Sequence, residues 1–246
     1  NAGTDMTELG QVTFYGVTLL EIFMVTFLAP AFTAGAISGE RERQTYELLR
    51  TTLLSARKLV YGKLLSALTY MFLFIIVAVP LESLAFIWGG VMVEELVLAL
   101  VFLLVTALAF ASVGLFFSSL ARSTHSSTVL SYITVLLLAV GLPILLTILL
   151  LPFEFDTDIS CTAEVALVYL KLLAISISPI SAAIVTESLI QEEDTILYFW
   201  YSLSANTHST NRIPVPLPWI IYTLFWLAIT AILLSVTISR VRAQEK

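Results

Sequence analysis

Five stretches of the chain are each long and apolar enough to cross a lipid bilayer as a helix. They cover residues 12–37, 59–88, 96–120, 128–151 and 219–238. About 20 mostly apolar residues in helical form span roughly 30 Å of hydrocarbon, and a helix satisfies its own backbone hydrogen bonds there. Hydrophobic residues make up 59% of the chain and charged residues 12%, which excludes an ordinary soluble domain. The sequence therefore predicts an all-α, polytopic membrane protein with a single transmembrane domain over residues 1–246.

The basic residues of the connecting segments predict the orientation of these spans. They gather in the first connection, the third connection and the C-terminus: Arg41, Arg43, Arg50, Arg57, Lys58, Lys63, Arg122, Arg240, Arg242 and Lys246. Short loops rich in Lys and Arg stay on the cytoplasmic side. We therefore expect these three regions to be cytoplasmic, including the C-terminus, in a multi-pass protein of the plasma membrane. The acidic connections are then external, among them a long loop over residues 153–218.

A sixth apolar stretch, residues 163–185, lies within this loop and is less regular. It contains Glu164 and Lys171 and is interrupted at Ser178-Pro179, so its composition allows it to span, to re-enter or to lie at the interface. If it crossed, the basic C-terminus would lie on the external side. We therefore expect a re-entrant or interfacial element.

The start of the chain predicts a preceding segment. With five spans and a cytoplasmic C-terminus, the first residues would lie outside. They have neither the basic region nor the apolar core of a signal peptide. We expect a further span to precede Asn1 in the full protein.

The first connection, residues 38–58, is the most informative polar segment. Its charges alternate in sign, and Arg43 stands one turn before Glu47, which predicts a charged helix in its first half. Apolar residues fall near one face, Thr51-Thr52 weakens the helix, and Ser55 can cap a new helix that leads into the next span. The pattern predicts an amphipathic elbow. On physical grounds alone it is either an interfacial helix on anionic lipid or a docking surface for a cytoplasmic protein.

The elbow also resembles a known family. The run from Ile37 to Leu49, ISGERERQTYELL, followed by TTLLS at residues 51–55 and Gly62-Lys63-Leu64, is similar to the cytoplasmic signature of type-2 permeases of ATP-binding-cassette transporters. Ser118-Ser119-Leu120-Ala121-Arg122-Ser123-Thr124 is similar to the second cytoplasmic turn of that family, and Ile177-Ser178-Pro179 to a step in its last external segment. Members have six spans, and the first is absent here.

This resemblance implies a permease subunit, expected to act in export, that pairs with a second permease subunit as a homo- or heterodimer. The elbow would then be the coupling helix that contacts a cytoplasmic ATP-binding-cassette ATPase. Carried over by position, the ATPase-coupling residues are Gly39, Glu40, Arg41, Glu42, Arg43, Glu47, Leu48 and Ser55. Substrate would cross at the dimer interface, and membrane lipid surrounds the pair.

The chain lacks the sequence motifs of an enzyme or a metalloprotein. No G-x-x-x-x-G-K-[ST] loop occurs, so ATP and Mg²⁺ are expected on the partner ATPase, with no cofactor in this chain. His125, His208 and the single cysteine, Cys161, are far apart in sequence, which makes a metal site improbable. We expect no catalytic residues and no nucleic-acid partner.

Several residues within the spans remain. Glu21 lies deep in the first span, where a carboxylate is costly, and is predicted either on a substrate path or subunit interface or as a satisfied structural acid. Glu82, nearer the end of the second span, is interpreted as structural. Ala31, Gly35 and Gly39 recur every fourth residue, which predicts a close helix approach.

Two other classes of protein stay open. A secondary transporter or channel would work without an ATPase, and it typically has broken midplane helices, several intramembrane charges or an inverted repeat. A membrane assembly factor would need neither a transport path nor ATPase docking. With Glu21 as the only deeply placed acid and no repeat visible, the sequence favours the ATP-driven permease.

Overall fold

The computed structural model describes residues 2–44, 55–150, 161–193, 195–202 and 212–243. In chain order the elements are α1 (Ala2–Ala34), α2 (Ser38–Glu42), α3 (Ala56–Trp88), α4 (Val93–Leu120), α5 (Thr124–Leu136), a π-helical turn (Leu137–Gly141), α6 (Leu142–Leu150), α7 (Cys161–Ile177), α8 (Pro179–Glu193), β1 (Tyr198–Ser202), β2 (Arg212–Pro216) and α9 (Pro218–Ala243).

Five helical segments in the described part of the chain are long and apolar enough to cross a membrane. They are Met6–Glu42, Ala56–Trp88, Val93–Leu120, Thr124–Leu150 and Pro218–Ala243. Four of them contain a predicted stretch in full, and Thr124–Leu150 contains all of the stretch 128–151 but its last residue, which lies outside the described residues. Their order is the predicted one. The all-α, polytopic architecture is therefore confirmed.

The first compact unit contains the helices up to Val135 and the end of α9 from Trp226. Within it α1 packs against α3 and α4. Gly10 lies against the backbone of Ala85 and Gly89, and Phe32 stacks on Tyr70, so α1 and α3 are antiparallel. The link from α3 to α4 turns through two adjacent glycines, Gly89 and Gly90, whose φ angles of 85° and 88° disfavour other residues.

α1 and α4 approach each other closely at Gly114. A Cβ atom there would overlap Thr33 Oγ1 and lie 3.0 Å from both Cα and O of Pro30. The predicted stripe is therefore only partly right. Gly35 lies beside Thr124 Cγ2, at 3.1 Å from where its Cβ would be, whereas Ala31 is exposed on this chain. Small residues do bring helices together here, but the main contact is made by a glycine of the opposite helix.

The second compact unit runs from Leu136 to Phe225. Its chain enters through the π-helical turn, which lies just before Pro143. Proline has no N–H to donate to the carbonyl four residues back, which is that of Ala139. The Ser178 hydroxyl, in the break between α7 and α8, donates to this oxygen at 2.7 Å. The predicted interruption at Ser178-Pro179 is thus confirmed, and its tip contacts the middle of a spanning helix.

The long connection also contains a two-stranded antiparallel hairpin that the sequence analysis missed. β1 pairs with β2 in a register that sets Phe199 opposite Val215 and Tyr201 opposite Ile213. The Trp219 indole N–H donates to Ile196 O at 2.8 Å and fastens the start of α9 to this hairpin. The aromatic residues of β1, Tyr198 to Tyr201, therefore build a local sheet.

Candidate functional site

The elbow is held by a hydroxyl from a distant part of the chain. α2 begins after Ile37, a residue whose side chain cannot cap a helix. Ser118 on α4 supplies the acceptor instead: its Oγ lies 2.9 Å from Ile37 N and 3.0 Å from Ser38 N. Ser38 Oγ lies 3.3 Å from Ser118 Oγ and donates to Ala34 O at 3.1 Å. The first N–H groups of a helix need such acceptors, so this contact fixes where α2 starts.

Charged side chains of α2 bind the neighbouring helices. Glu40 forms a salt bridge with Lys63 of α3. The Arg41 guanidinium donates to Ala121 O, at the end of α4, at 3.2 Å. Thr124 Oγ1, at the start of α5, donates to Glu42 Oε2 at 2.5 Å. This hydrogen bond joins the end of α2 to α5. We call this set, with Ser38 and Ser118, the elbow junction.

The outer face of the elbow junction is polar and mixed in charge. Glu42, Arg43 and Gln44 are exposed, while Glu40 and Arg41 are partly covered. Gln44 has a φ of 57°, a left-handed conformation that ends the helical segment. The chain here therefore presents one acid, one base and an amide to the surroundings.

The predicted coupling residues fall into three groups. Glu40, Arg41 and Glu42 lie in the elbow junction, and the Cβ position of Gly39 is 3.6 Å from Thr124 Oγ1. Arg43 is exposed just after α2. Glu47 and Leu48 lie outside the described residues, so the predicted pairing of Arg43 with Glu47 does too.

Ser55 immediately precedes α3, as predicted, but its side chain makes no capping hydrogen bond. The predicted position of the helix start is right, but the predicted capping by the Ser55 side chain is wrong.

Sequence reasoning missed the partners of the elbow. Ser118, Ala121 and Thr124 belong to the segment that resembles the second cytoplasmic turn of the family, and Lys63 follows the elbow. Nothing in the linear pattern indicates that they meet. Ile37 and Ser118 are 81 positions apart. The available signal was the run of small hydroxyl residues from Ser118 to Thr124, too polar to sit freely at the end of an apolar span.

A second polar cluster lies within the spans. Glu21 on α1 and Glu82 on α3 are 3% and 7% exposed, and Thr18 is 4% exposed. The two carboxyl groups lie near each other, and Thr18 lies beside Glu82. One carboxylate at the centre of a spanning helix costs about 2.5–3.5 kcal/mol on insertion scales. Glu82, which the sequence interpretation took as structural, therefore faces Glu21.

Among the described residues, no three His, Cys, Asp or Glu side chains are placed to hold a metal ion. The chemistry that the described polar groups support is helix capping, ion pairing and carboxyl–carboxyl contact.

The described structure thus combines five apolar helices that can cross a membrane with a charged elbow bonded to the ends of its neighbours. The model of the family described as ABC-2 family transporter protein matches residues 4–240, so the chain belongs to that family. No curated protein matches the chain. The resemblance to ATP-binding-cassette permeases is confirmed by the family match, which covers the elbow, the second turn and every described helix that can span a membrane.

Proposed function

We propose that the chain is the permease subunit of an ATP-driven exporter and that a separate cytoplasmic ATPase docks on the elbow. ATP and Mg²⁺ are bound by that partner. The observation that carries the proposal is the elbow junction. α2 continues α1, pairs with α3 through Lys63, and bonds the ends of α4 and α5 through Ala121 and Thr124. A displacement of α2 would therefore be transmitted to four spanning helices.

The exposed residues of the elbow are the proposed contact with the ATPase. Arg43 and Glu42 face outward, and a mixed-charge surface suits a protein partner better than a basic stripe on lipid does. Glu40 and Arg41 act inward in this proposal, because each already binds a neighbouring helix. Docking is thus assigned to Arg43 and transmission to Glu40 and Arg41, while Glu42 contributes to both because it also binds Thr124.

The remaining parts of the proposal follow the family. The elbow and the C-terminus face the cytoplasm, in agreement with their basic residues, and the protein resides in the plasma membrane. Two permease subunits form the transport path at their interface. A role for Glu21 on that path or interface stays a prediction.

Co-purification of the full permease with candidate cytoplasmic ATPases tests the docking. We expect the wild type to retain an ATPase and Arg43→Glu to lose it. Arg212→Glu, an equally exposed charge reversal on β2, is the matched control and should retain it. Failure of the wild type to bind any ATPase, or equal loss in both variants, contradicts the proposal.

The variant Lys63→Met tests whether a movement of α2 is transmitted to α3. It removes the partner of Glu40 without altering the exposed face, so the ATPase should still bind while ATP-dependent transport in proteoliposomes falls. Unchanged transport would show that this salt bridge carries no coupling.

One observation favours a second candidate, an ATPase-independent secondary transporter. The Glu21–Glu82 contact gives the spans two adjacent acids rather than one. Transport by the permease alone, reconstituted with an ion gradient and without any ATPase, would support this alternative and overturn the first proposal.

A further inference from the structure

The contact between Glu21 and Glu82 lies well inside the helical bundle. Two contacts between α1 and α3 flank Glu21 along α1. Phe14 packs against Ala85 on one side, and Phe32 stacks on Tyr70 on the other. The two acids therefore face each other away from both ends of the α1–α3 contact. Neither is a surface side chain that water could solvate freely.

Several buried polar atoms at this contact have no hydrogen-bond partner among the described residues. Both carboxyl oxygens of Glu21, Oε1 of Glu82 and the hydroxyl of Thr18 are buried without a hydrogen-bond partner among the described residues. Ionised carboxylates only accept hydrogen bonds, so two of them cannot bond to each other. The missing component is a donor or a positive charge.

No basic side chain is available nearby on the helices that pack together here. Residues 1–40 contain no Lys, Arg or His, and neither do residues 64–121. α1 packs against α3 and α4, and both contacts fall within these ranges except for the first turns of α3. These parts of α1, α3 and α4 therefore supply no positive charge to the two carboxyls.

We propose that Glu21 and Glu82 form a proton-binding site between α1 and α3. A proton taken from bulk water resides on one carboxyl, whose O–H donates to the carboxylate of the other. The Thr18 hydroxyl donates to Glu82. The facing oxygens of the two carboxyls and the Thr18 hydroxyl then have partners, and the net charge of the cluster changes from −2 to −1.

A proton fits this site better than a metal ion. Ca²⁺ takes about six to eight oxygen ligands and Mg²⁺ about six, whereas two carboxyls and a hydroxyl offer about five oxygen atoms at most. A proton needs only two facing oxygens. Two adjacent carboxyls that share a proton are an established solution to like-charge crowding.

The proton also joins two helices. With it, α1 and α3 are linked by a hydrogen bond, and without it they repel each other. The other titratable groups whose side chains are described on these helices are Glu8 and Tyr15 on α1, Arg57, Lys58, Tyr61, Lys63 and Tyr70 on α3, and Glu94 and Glu95 on α4. The inference does not rest on the proposed function, since the site would bind a proton with or without an ATPase partner.

Infrared spectroscopy of the full permease in lipid tests the site directly. We expect a protonated-carboxyl band at neutral pH that disappears in a Glu21→Gln, Glu82→Gln double variant. Glu94→Gln, an exposed acid at the start of α4, should keep the band. A wild-type spectrum without the band, or a band that vanishes when Na⁺ or Ca²⁺ is added at constant pH, overturns the proposal.

Thermal unfolding provides a second readout. Raising the pH should lower the wild-type midpoint as the proton leaves, and Glu82→Gln alone should remove that loss, because the amide supplies a permanent donor. If the wild type and Glu82→Gln lose the same stability on alkalinisation, the shared proton does not hold α1 and α3 together.

Discussion

At the scale of single residues, the Ser118 hydroxyl is the contact on which the elbow most depends. It accepts from two backbone N–H groups of another segment in a buried setting. We expect Ser118→Ala to leave both donors unsatisfied and to destabilise the protein by about 1–3 kcal/mol. The thermal unfolding midpoint in detergent would measure this loss.

Ser119→Ala is the matched control for that change. Ser119 is also buried, but its hydroxyl donates to Phe116 O within the same helix, a group already served by the helix itself. The two variants remove the same atom from adjacent positions. Equal stability of both would mean that the cap on α2 contributes nothing measurable.

The residue scale is also where sequence reasoning reached least far. It identified Glu21 because a charge inside an apolar stretch is visible in a linear sequence. It separated Glu21 from Glu82 because each was judged by its distance from the end of its own span, while their contact depends on how α1 and α3 align. Such alignment is set by packing at Gly10, Phe14 and Phe32, which no single-residue rule predicts.

At the scale of elements, α1 and α4 can cross closely because Gly114 has no side chain. Gly114→Ala should push Thr33 and Pro30 away and cost about 1–3 kcal/mol through overpacking. Gly62→Ala, with no atom near its Cβ position, should be neutral or gain up to about 1 kcal/mol of helix propensity. Thermal unfolding of both variants distinguishes the outcomes. Equal tolerance of the two substitutions would contradict a close crossing.

The π-helical turn gives a second prediction at this scale. Ser178→Ala removes the donor to Ala139 O next to Pro143, so that carbonyl should lose a partner in an apolar setting. We expect a loss of about 1–3 kcal/mol and faster proteolysis of the connection between α6 and α9. Ser188→Ala, which removes an exposed local bond to Val185 O, is the control. Equal rates of proteolysis in Ser178→Ala and Ser188→Ala would contradict a stabilising role for the Ser178–Ala139 hydrogen bond.

The elements themselves were largely predictable. Apolar length fixes a spanning helix because unpaired backbone groups are not tolerated in lipid, so the five spans agree with the structure. The hairpin was not predictable in the same way. β1 has an aromatic pattern that also suits a membrane interface, and β2 contains Pro214 and Pro216, which usually argue against a strand.

At the scale of the whole molecule, the predicted orientation can be checked by labelling. Cys161 is the only cysteine in the sequence, so Cys161→Ser provides a cysteine-free background. On intact cells, a membrane-impermeant maleimide should label Glu94→Cys and Arg212→Cys. Arg122→Cys and Arg242→Cys should react only after permeabilisation. All four substituted positions are exposed. The reverse pattern would invert the proposed topology and with it the assignment of the elbow to the cytoplasm.

The dependence of α2 on Ser118 also limits how genes of this kind can recombine. The elbow and the turn after α4 are encoded about 80 codons apart, yet neither is complete alone. A crossover between them would join an elbow from one parent to a turn from another, and only parents that match at both places would yield a working hybrid. The two segments should therefore be inherited as a pair, and grafting an elbow onto a new permease should require grafting its distant turn as well.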